Sequence, residues 1–339
     1  MVGDVQVVDA GSLDRLPAPD LIPWRSNSGS RSGVTTGALP ARGHYRRAMD
    51  DVRGTNALLT GAAGGLGWHI ARALAARGVR LALSGRHAEP LQELSRELRG
   101  QGAETEVVLA DLADPGQTAA LVEQAEATIG PLDLLVNNAG IEVAAAYPAF
   151  TDEELAVIAQ VNLIAPMVLA RHALPGMLAR GRGHIVTVSS LAGRGGNSYN
   201  VVYATTKAGL VGFTRSLRAE LAGWPVGASV VCPGFVARDG MYARMQEHGV
   251  NAPIALRAVQ PERIARAVID AILDDRPDVL VTYWPMRPLL AVQELAPRLA
   301  DRITAATGAG KFFAKLVERT GRSTPSLPPA DEHLPRAAA

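Results

Sequence analysis

Tyr203 and Lys207 stand four residues apart, and that spacing gives them a use in proton chemistry. If Val202 to Leu217 form a helix, positions four apart share a face, and the phenol lies beside the ammonium. A free tyrosine titrates near pH ~10 and is a poor proton donor or acceptor at neutrality. A lysine cation a few ångströms away favours the phenolate and brings the tyrosine towards the working pH. Ser190 lies thirteen residues before Tyr203, at the end of the apolar run HIVTVSS. That run reads as a strand ending at Ser189 or Ser190, which puts a hydroxyl where it can hydrogen-bond a substrate oxygen that the tyrosine also touches. Tyr199 has Tyr203 at its fourth following position and lacks the lysine pairing. A lone Y-x-x-x-K is otherwise a surface helix with one tyrosine, so the pair needs elements that place it in a site.

Those elements begin at Asn56. NALLT is a short strand, TGAAGGLG follows at once, and WHIARALAARG has a helical pattern. Strand, glycine loop and helix form the context of a phosphate-binding turn, in which Gly61, Gly65 and Gly67 let the backbone approach a pyrophosphate at the helix N-terminus. VRLALSG (79–85) is a second strand ending before Arg86. In a dinucleotide fold this turn faces the adenosine ribose. An acid here would accept from both ribose hydroxyls, whereas an arginine can pair with a 2′-phosphate. Gly85 occupies the acid's position, so the charge argument favours NADP(H) over NAD(H) through Arg86.

A third strand, TEVVLA, ends at Asp111-Leu112, where an adenine ring could rest, and a fourth, LDLLVNNAG, closes on Asn137, Asn138, Ala139 and Gly140. A helix over about 151–180 contains Asn162, with Pro166 expected to kink or redirect it there. GASVVCPGF is a sixth strand stopping at Pro233-Gly234. The stretch 235–260, with Met241, Tyr242, Met245 and Pro253, reads as a lid over the sheet's ligand edge. PERIARAVIDAILD and DVLVTY complete the series. The alternation from 53 to 284 predicts an α/β fold with a doubly wound parallel sheet of seven strands and helices on both faces.

Composition narrows the function classes. Net charge is +1 and charged residues are 20%, which gives no global electrostatic case for nucleic acid, and the basic residues do not interleave with aromatics. Apolar residues are 47% and aromatics 4%, a profile suited to helices packed on a parallel sheet. The single cysteine, Cys232, lies in an apolar run and reads as a buried structural thiol. It permits no intrachain disulfide, which fits a reducing cytoplasm. The seven histidines are scattered without ligand spacing, so no metal site is expected. No run of eighteen continuous apolar residues and no secretion-signal pattern is present.

Taken together, TGAAGGLG, Asp111, NNAG, Asn162, VSS, YATTK and PG, in that order, resemble the short-chain dehydrogenase/reductases, in particular NADP(H)-preferring ketoreductases. The resemblance covers residues 53–284, about two-thirds of the chain. It implies a Rossmann-type fold and exchange between a ketone and a secondary alcohol. Tyr203 would act as general acid for reduction and base for oxidation, and Lys207 would lower its pKa and bind the nicotinamide ribose. Ser190 would polarise the substrate oxygen, and Asn162 would hold a water in the proton relay. The cofactor would be bordered by Gly61, Gly64, Gly65, Leu66, Gly67, Arg86, Asp111, Leu112, Asn138, Ala139, Gly140, Pro233, Gly234 and Val236, with Tyr203 and Lys207. Homodimers or homotetramers are common in the family. One departure is Arg238, where the family often places a threonine against the carboxamide: either the register shifts by one or two residues or a backbone group takes that contact.

Both ends carry additions. Residues 1–50 read as a disordered tail, with two alternatives: Met49 as the natural start, or a basic docking arm through Arg42, Arg46 and Arg47. RPLLAVQELAPRLADRIT reads as one amphipathic helix interrupted or kinked at Pro297. GKFFAKLVERTGR sets Phe312, Phe313, Leu316 and Val317 against Lys311, Lys315, Arg319 and Arg322. This basic amphipathic segment of 286–322 could lie on an anionic membrane surface as a peripheral contact, cover the substrate pocket or pack in a dimer. Residues 323–339 read as disordered. The apolar lid favours a small lipophilic substrate. The alternatives to an enzyme are a catalytically silent NADP(H)-binding regulator or scaffold, or a membrane-surface protein acting through its C-terminal helix.

Overall fold

Successive residues of a strand point to opposite faces, and in a sheet covered on both sides each face must be apolar. β1 (Asn56–Thr60) shows the result: Leu59 joins one core layer and Leu58 the other, and both are fully buried. β4 (Leu134–Asn137) repeats it, with Leu134 and Val136 on the first layer and Leu135 on the second. The computed structural model describes residue 49 and residues 51–238, 241–250 and 257–322. The expected N-terminal tail (Met49 excepted), Pro253 and the expected tail 323–339 lie outside these residues. Met49 and Val52 are buried in the first core layer.

The remaining strands are β2 (Arg80–Gly85), β3 (Thr105–Leu109), β5 (Gly183–Val188), β6 (Val226–Pro233) and β7 (Asp278–Val281). All seven pair in parallel in the order β3-β2-β1-β4-β5-β6-β7. The order reverses between β1 and β4, and ligands bind at such a switch point beyond the strands' C-terminal ends. α1 (Gly65–Ala75), α2 (Ala88–Gly100) and α8 (Pro261–Leu273) supply the first layer. α3 (Pro115–Ile129) and α5 (Ala165–Arg180) supply the second, with the end of α6 (Val201–Glu220). This is the Rossmann-type seven-stranded architecture that the strand and helix pattern predicts.

The expected redirection near Asn162 takes a specific form. α4 (Asp152–Ala159) starts at a Thr151 capping box and runs into a π turn, Gln160–Ile164, before α5. Pro166 has no N–H to give to the carbonyl of Asn162, and the ladder widens, the Ala165 N–H reaching back to Gln160 O. By length and composition the run Asp152–Arg180 could cross a membrane. Leu169, Ala170, Ala173 and Met177 of that run are buried in the second core layer, while Val157, Ile164 and Met167 are exposed.

At the C-terminus the segment expected to be one interrupted helix is two. α9 (Arg287–Leu295) stops before Ala296, whose φ −145° and ψ 69° are those of a residue displaced from the helical region by a following proline. Pro297 then opens α10 (Pro297–Ala306), where a missing N–H costs nothing. α11 (Ala309–Arg319) follows, and Phe312, Phe313, Leu316 and Val317 are all buried. Phe312, Phe313 and Leu316 pack with Met245 and Val250 and against Tyr199, Phe235 and Tyr242. The apolar face of this helix is therefore covered by its own chain. It rests on the lid segment, whose helix α7 (Met241–Glu247) stands between ends pinned by the Val236–Val259 bridge.

Candidate active site

β5 ends at Val188, one or two residues earlier than the sequence suggests, and Ser189 and Ser190 continue past it. Ser189 Oγ donates to Lys207 O at 2.7 Å, tying the strand end to α6. Ser190 caps a short 3-10 turn, Leu191–Arg194, and its Oγ accepts from Ala192 N at 3.1 Å. Arg194 closes that turn by an ion pair with Asp278 and a 3.4 Å contact from Nε to Cys232 Sγ. The serine-bearing turn is thereby anchored to β6 and β7. Cys232 is fully buried, and burial pushes its thiol up.

α6 carries Tyr203 and Lys207 on one face, as their spacing predicts, with the Lys207 ammonium 5.6 Å from the Tyr203 ring centroid. Lys207 is 3% exposed, and its Nζ donates to Val188 O at 3.0 Å. Burial pulls its pKa down to about 8, against the raising effects of Cys232 and Glu142. The phenol behaves differently from the sequence expectation. Burial raises Tyr203, the Glu142 carboxylate raises it further, and only the hydrogen bond with Ser190 opposes them. In the chain alone, loss of water around the phenol outweighs any help from the neighbouring cation.

Asn162 sits in the π turn with no exposed surface. Its Oδ1 accepts from Ile141 N at 2.8 Å, and its Nδ2 donates to Ile141 O at 2.9 Å and Thr206 Oγ1 at 3.1 Å. It therefore stands behind the cavity wall, clamping the turn after Gly140. A Cβ on Gly140 would come 3.2 Å from Lys207 Nζ and 3.4 Å from Asn162 Oδ1, so the glycine lets these two groups converge.

The glycine loop meets the NNAG turn at the switch point. Thr60 Oγ1 accepts from the N–H groups of Asn138 and Ala139, both at 3.1 Å, and Asn138 Nδ2 returns bonds to Thr60 O and Gly61 O. Gly61 has φ 63°, and a Cβ there would lie 2.8 Å from Ala139 Cα. α1 starts at Gly64 with no side-chain cap and no acid in its first turn, leaving its N–H groups and dipole open to an anion. This cradle fits a dinucleotide pyrophosphate.

One cavity of about 630 Å³ joins these parts. Gly61, Gly64, Gly65, Leu66, Gly67, Arg86, Asp111, Leu112, Asn138, Ala139, Gly140, Ser190, Tyr203, Lys207, Pro233, Gly234 and Val236 all line it; Asn162 does not. Arg86 is exposed at the end of β2, beside His87. Arg238 lies outside the lining, with φ 66° and its guanidinium 3.0 Å from Glu262 on α8. The loop therefore turns this arginine away from the cavity and towards α8.

Several wall residues carried no clear sign in the sequence. Glu142, Asn200, Gln293 and Asp301 line the cavity, as do Leu289, Leu290 and Phe313 of the C-terminal helices. A signal for Glu142 existed: it is the acid immediately after NNAGI in an otherwise apolar stretch. The contributions of α9 to α11 depend on how those helices fold back, which no local pattern encodes.

A model of the short chain dehydrogenase family matches residues 55–248. The ketoacyl reductase HetN of a Nostoc strain is 37% identical over 275 residues, 80% of this chain and 95% of its own. The bovine dehydrogenase/reductase SDR family member 7B is 34% identical over 75% of this chain and 81% of its own. Among solved structures, a single-substitution variant of actinorhodin polyketide ketoreductase with NADPH matches at TM-score 0.63 and 31% identity, covering 67% of this chain and 95% of that one. By the extent of these matches, the chain belongs to the short-chain dehydrogenase/reductase family of oxidoreductases.

Proposed function

We propose that this protein interconverts a ketone and a secondary alcohol with NADP(H), Tyr203 passing the proton at the substrate oxygen. The observation that carries the reading is that Ser190, Tyr203 and Lys207 line the same cavity as the glycine cradle, with the Lys207 ammonium 5.6 Å from the Tyr203 ring centroid. Two hydroxyls on the wall of one cavity can both be offered to a single carbonyl oxygen, which is the arrangement general acid catalysis needs. A protonated phenol is the form required to donate, and burial with the Glu142 charge keeps it so. Lys207, anchored through Val188 O, holds positive charge 5.6 Å from the ring centroid of the phenol that becomes anionic as the proton leaves. Asn162 fixes the Ile141 backbone and thereby the turn against which Lys207 rests. A bound nicotinamide supplies or accepts the hydride at the substrate carbon.

Arg86 supports NADP(H) over NAD(H), because a guanidinium at the end of β2 can pair with a 2′-phosphate and no acid stands at Gly85 to repel it. The polyketide ketoreductase that this chain resembles was solved with NADPH, which supports that cofactor, and the name of HetN, a ketoacyl reductase, supports the carbonyl chemistry. Phe235, Met241, Tyr242, Met245, Leu289 and Phe313 make the wall beyond Tyr203 apolar, which supports a lipophilic substrate.

The test is NADPH oxidation with ketones graded from short and polar to long and apolar. Turnover should rise with apolar size, and Tyr203→Phe should lower kcat by roughly a thousandfold while NADPH still binds. Arg86→Ala should raise KM for NADPH by about tenfold or more and leave that for NADH within about threefold. Turnover by Tyr203→Phe within a few-fold of wild type would refute the proton role.

A further inference from the structure

We propose that Arg194 is a positioning residue for Ser190: its ion pair with Asp278 holds the serine-bearing turn where the hydroxyl can meet the substrate oxygen. The inference rests on the ketone-reductase reading of the cavity given above.

The turn needs holding from outside. Ser190 starts it, Leu191–Arg194 make a single 3-10 turn, and Gly195 and Gly196 follow. Two consecutive glycines give the backbone wide freedom, so Arg194 carries the last side chain that can fix the turn before that freedom begins. Within the segment, Gly193 N–H donates to Ser190 O at 3.1 Å and Asn197 Nδ2 donates to Ala192 O at 3.3 Å. On one side the turn lies directly on α6. A Cβ on Gly193 would come 2.5 Å from the Lys207 carbonyl carbon, and Ser189 Oγ bonds Lys207 O. The start of the turn is thus fixed to the helix of Tyr203 and Lys207, and Arg194 fixes its end to the sheet.

Arg194 reaches across β6 to β7. Its Nε lies 3.4 Å from Cys232 Sγ and its Nη2 pairs with Asp278 Oδ2, the two charged side chains being only 10% and 17% exposed. Asp278 is a firm anchor. It opens β7, stands opposite Val230 in the ladder, and accepts at its carbonyl from Arg287 Nη2 at 3.0 Å. Its Oδ2 also takes Arg215 of α6 at 2.9 Å. Burial opposes the ionised form of Asp278, and the hydrogen bonds from Arg194 and Arg215 outweigh it, holding the carboxyl below its ordinary value. The pair is therefore charged at neutral pH, and its hydrogen bond is directional. Arg194 does not line the cavity, whereas Ser190, Leu191, Ala192, Gly195 and Gly196 do. Its effect on the reaction therefore passes through the turn. Arg215 supplies a control for charge, because it bonds the same oxygen from α6 with a side chain 58% exposed.

The experiment is a double-mutant cycle on the full chain, with saturating NADPH and the ketone of highest kcat/KM from the graded series. Ser190→Ala should lower kcat by about a hundredfold and Arg194→Gln by about tenfold, both with NADPH affinity within about threefold of wild type. In the Ser190→Ala background, Arg194→Gln should lower kcat by no more than about twofold further, because no hydroxyl remains to be positioned. Arg215→Gln should leave kcat within about twofold of wild type. A merely structural arginine would give the same loss in both backgrounds, and that result would overturn the inference. So would a loss with Arg215→Gln as large as that with Arg194→Gln. Where Arg194→Gln fails to hold NADPH, Asp278→Asn, isosteric and breaking the same pair from β7, replaces it in the cycle. A large loss with Ser190→Ala beside an unchanged kcat with Arg194→Gln would overturn the inference alone. An unchanged kcat with Ser190→Ala would overturn the role of that serine in the ketone reading, and the inference with it.

Discussion

His184, near the start of β5, has no exposed surface, and its Nε2 lies 2.8 Å from Ser229 Oγ. Burial pushes its pKa down to about 4, with Asp275 opposing and Arg218 adding to the shift. A Cβ on Gly227 would fall 2.4 Å from the ring Nδ1, so the neighbouring strand is bare to accommodate the imidazole. The folded chain thus keeps His184 neutral at pH values where an unfolded chain, titrating near ~6.5, takes up the proton. The unfolded state then binds more protons, so stability is full above about pH 6.5 and falls as the pH drops towards about 4. The loss through this group is on the order of 3 kcal/mol. Urea midpoints should decline between about pH 6.5 and 5, before carboxylates protonate, and His184→Gln, less stable throughout, should show a flatter slope. A wild-type midpoint constant across that window would contradict the assignment. The same physics governs Tyr203: two titratable groups with matched spacing in sequence are set apart from their free values chiefly by the water that each loses.

At the scale of elements, the glycine turn and α1 act as one unit. A Cβ on Gly67 would sit 2.0 Å from Gly61 O and 2.9 Å from Ala62 O, both backbone atoms that cannot move without shifting the loop. Gly67→Ala should push α1 from the turn and lower NADPH affinity by about a hundredfold or more, read by fluorescence titration. Unchanged affinity would mean that the loop adapts freely. The π turn at Asn162 is also an element-scale device. The sequence placed Pro166 four residues after Asn162, and the missing N–H made a break foreseeable. Whether the break would be a kink or a widened turn is not expressed by sequence spacing; in the structure it is a π turn whose Val161 and Asn162 are buried. Pro297 divides α9 from α10 for the complementary reason, acting on the residue before it as well as on itself.

At the scale of the whole molecule, α9 to α11 line one part of the cavity while the glycine turn and the ends of β2 and β3 line another. Phe235 stacks edge-on with Phe312, ring centroids 5.5 Å apart, and lies 5.2 Å from Tyr242, so lid and C-terminal helices share an aromatic cluster. A chain ending at Pro285 should keep NADPH affinity within about threefold but raise KM for a bulky ketone by about tenfold or more. Parallel loss of both would show that the helices support the sheet itself. An unchanged KM would remove them from the substrate wall.

The succession of seven strands and their helices along the chain, the glycine turn, the pairing of Tyr203 with Lys207 and the helical reach of α6 followed from the sequence alone. These depend on local periodicity and short spacings, which a chain expresses residue by residue. Their assembly into one cavity was also implied, because parallel strands joined by helices present their C-terminal ends on one edge. The direction of the phenol's pKa, the position of Asn162 behind the wall and the turning of Arg238 towards Glu262 were not legible. Nor were Glu142 held by Asn200, 58 residues away, or the burial of α11 against the lid. Each of these is set by groups distant in sequence and by the water they exclude, so only the tertiary structure decided them.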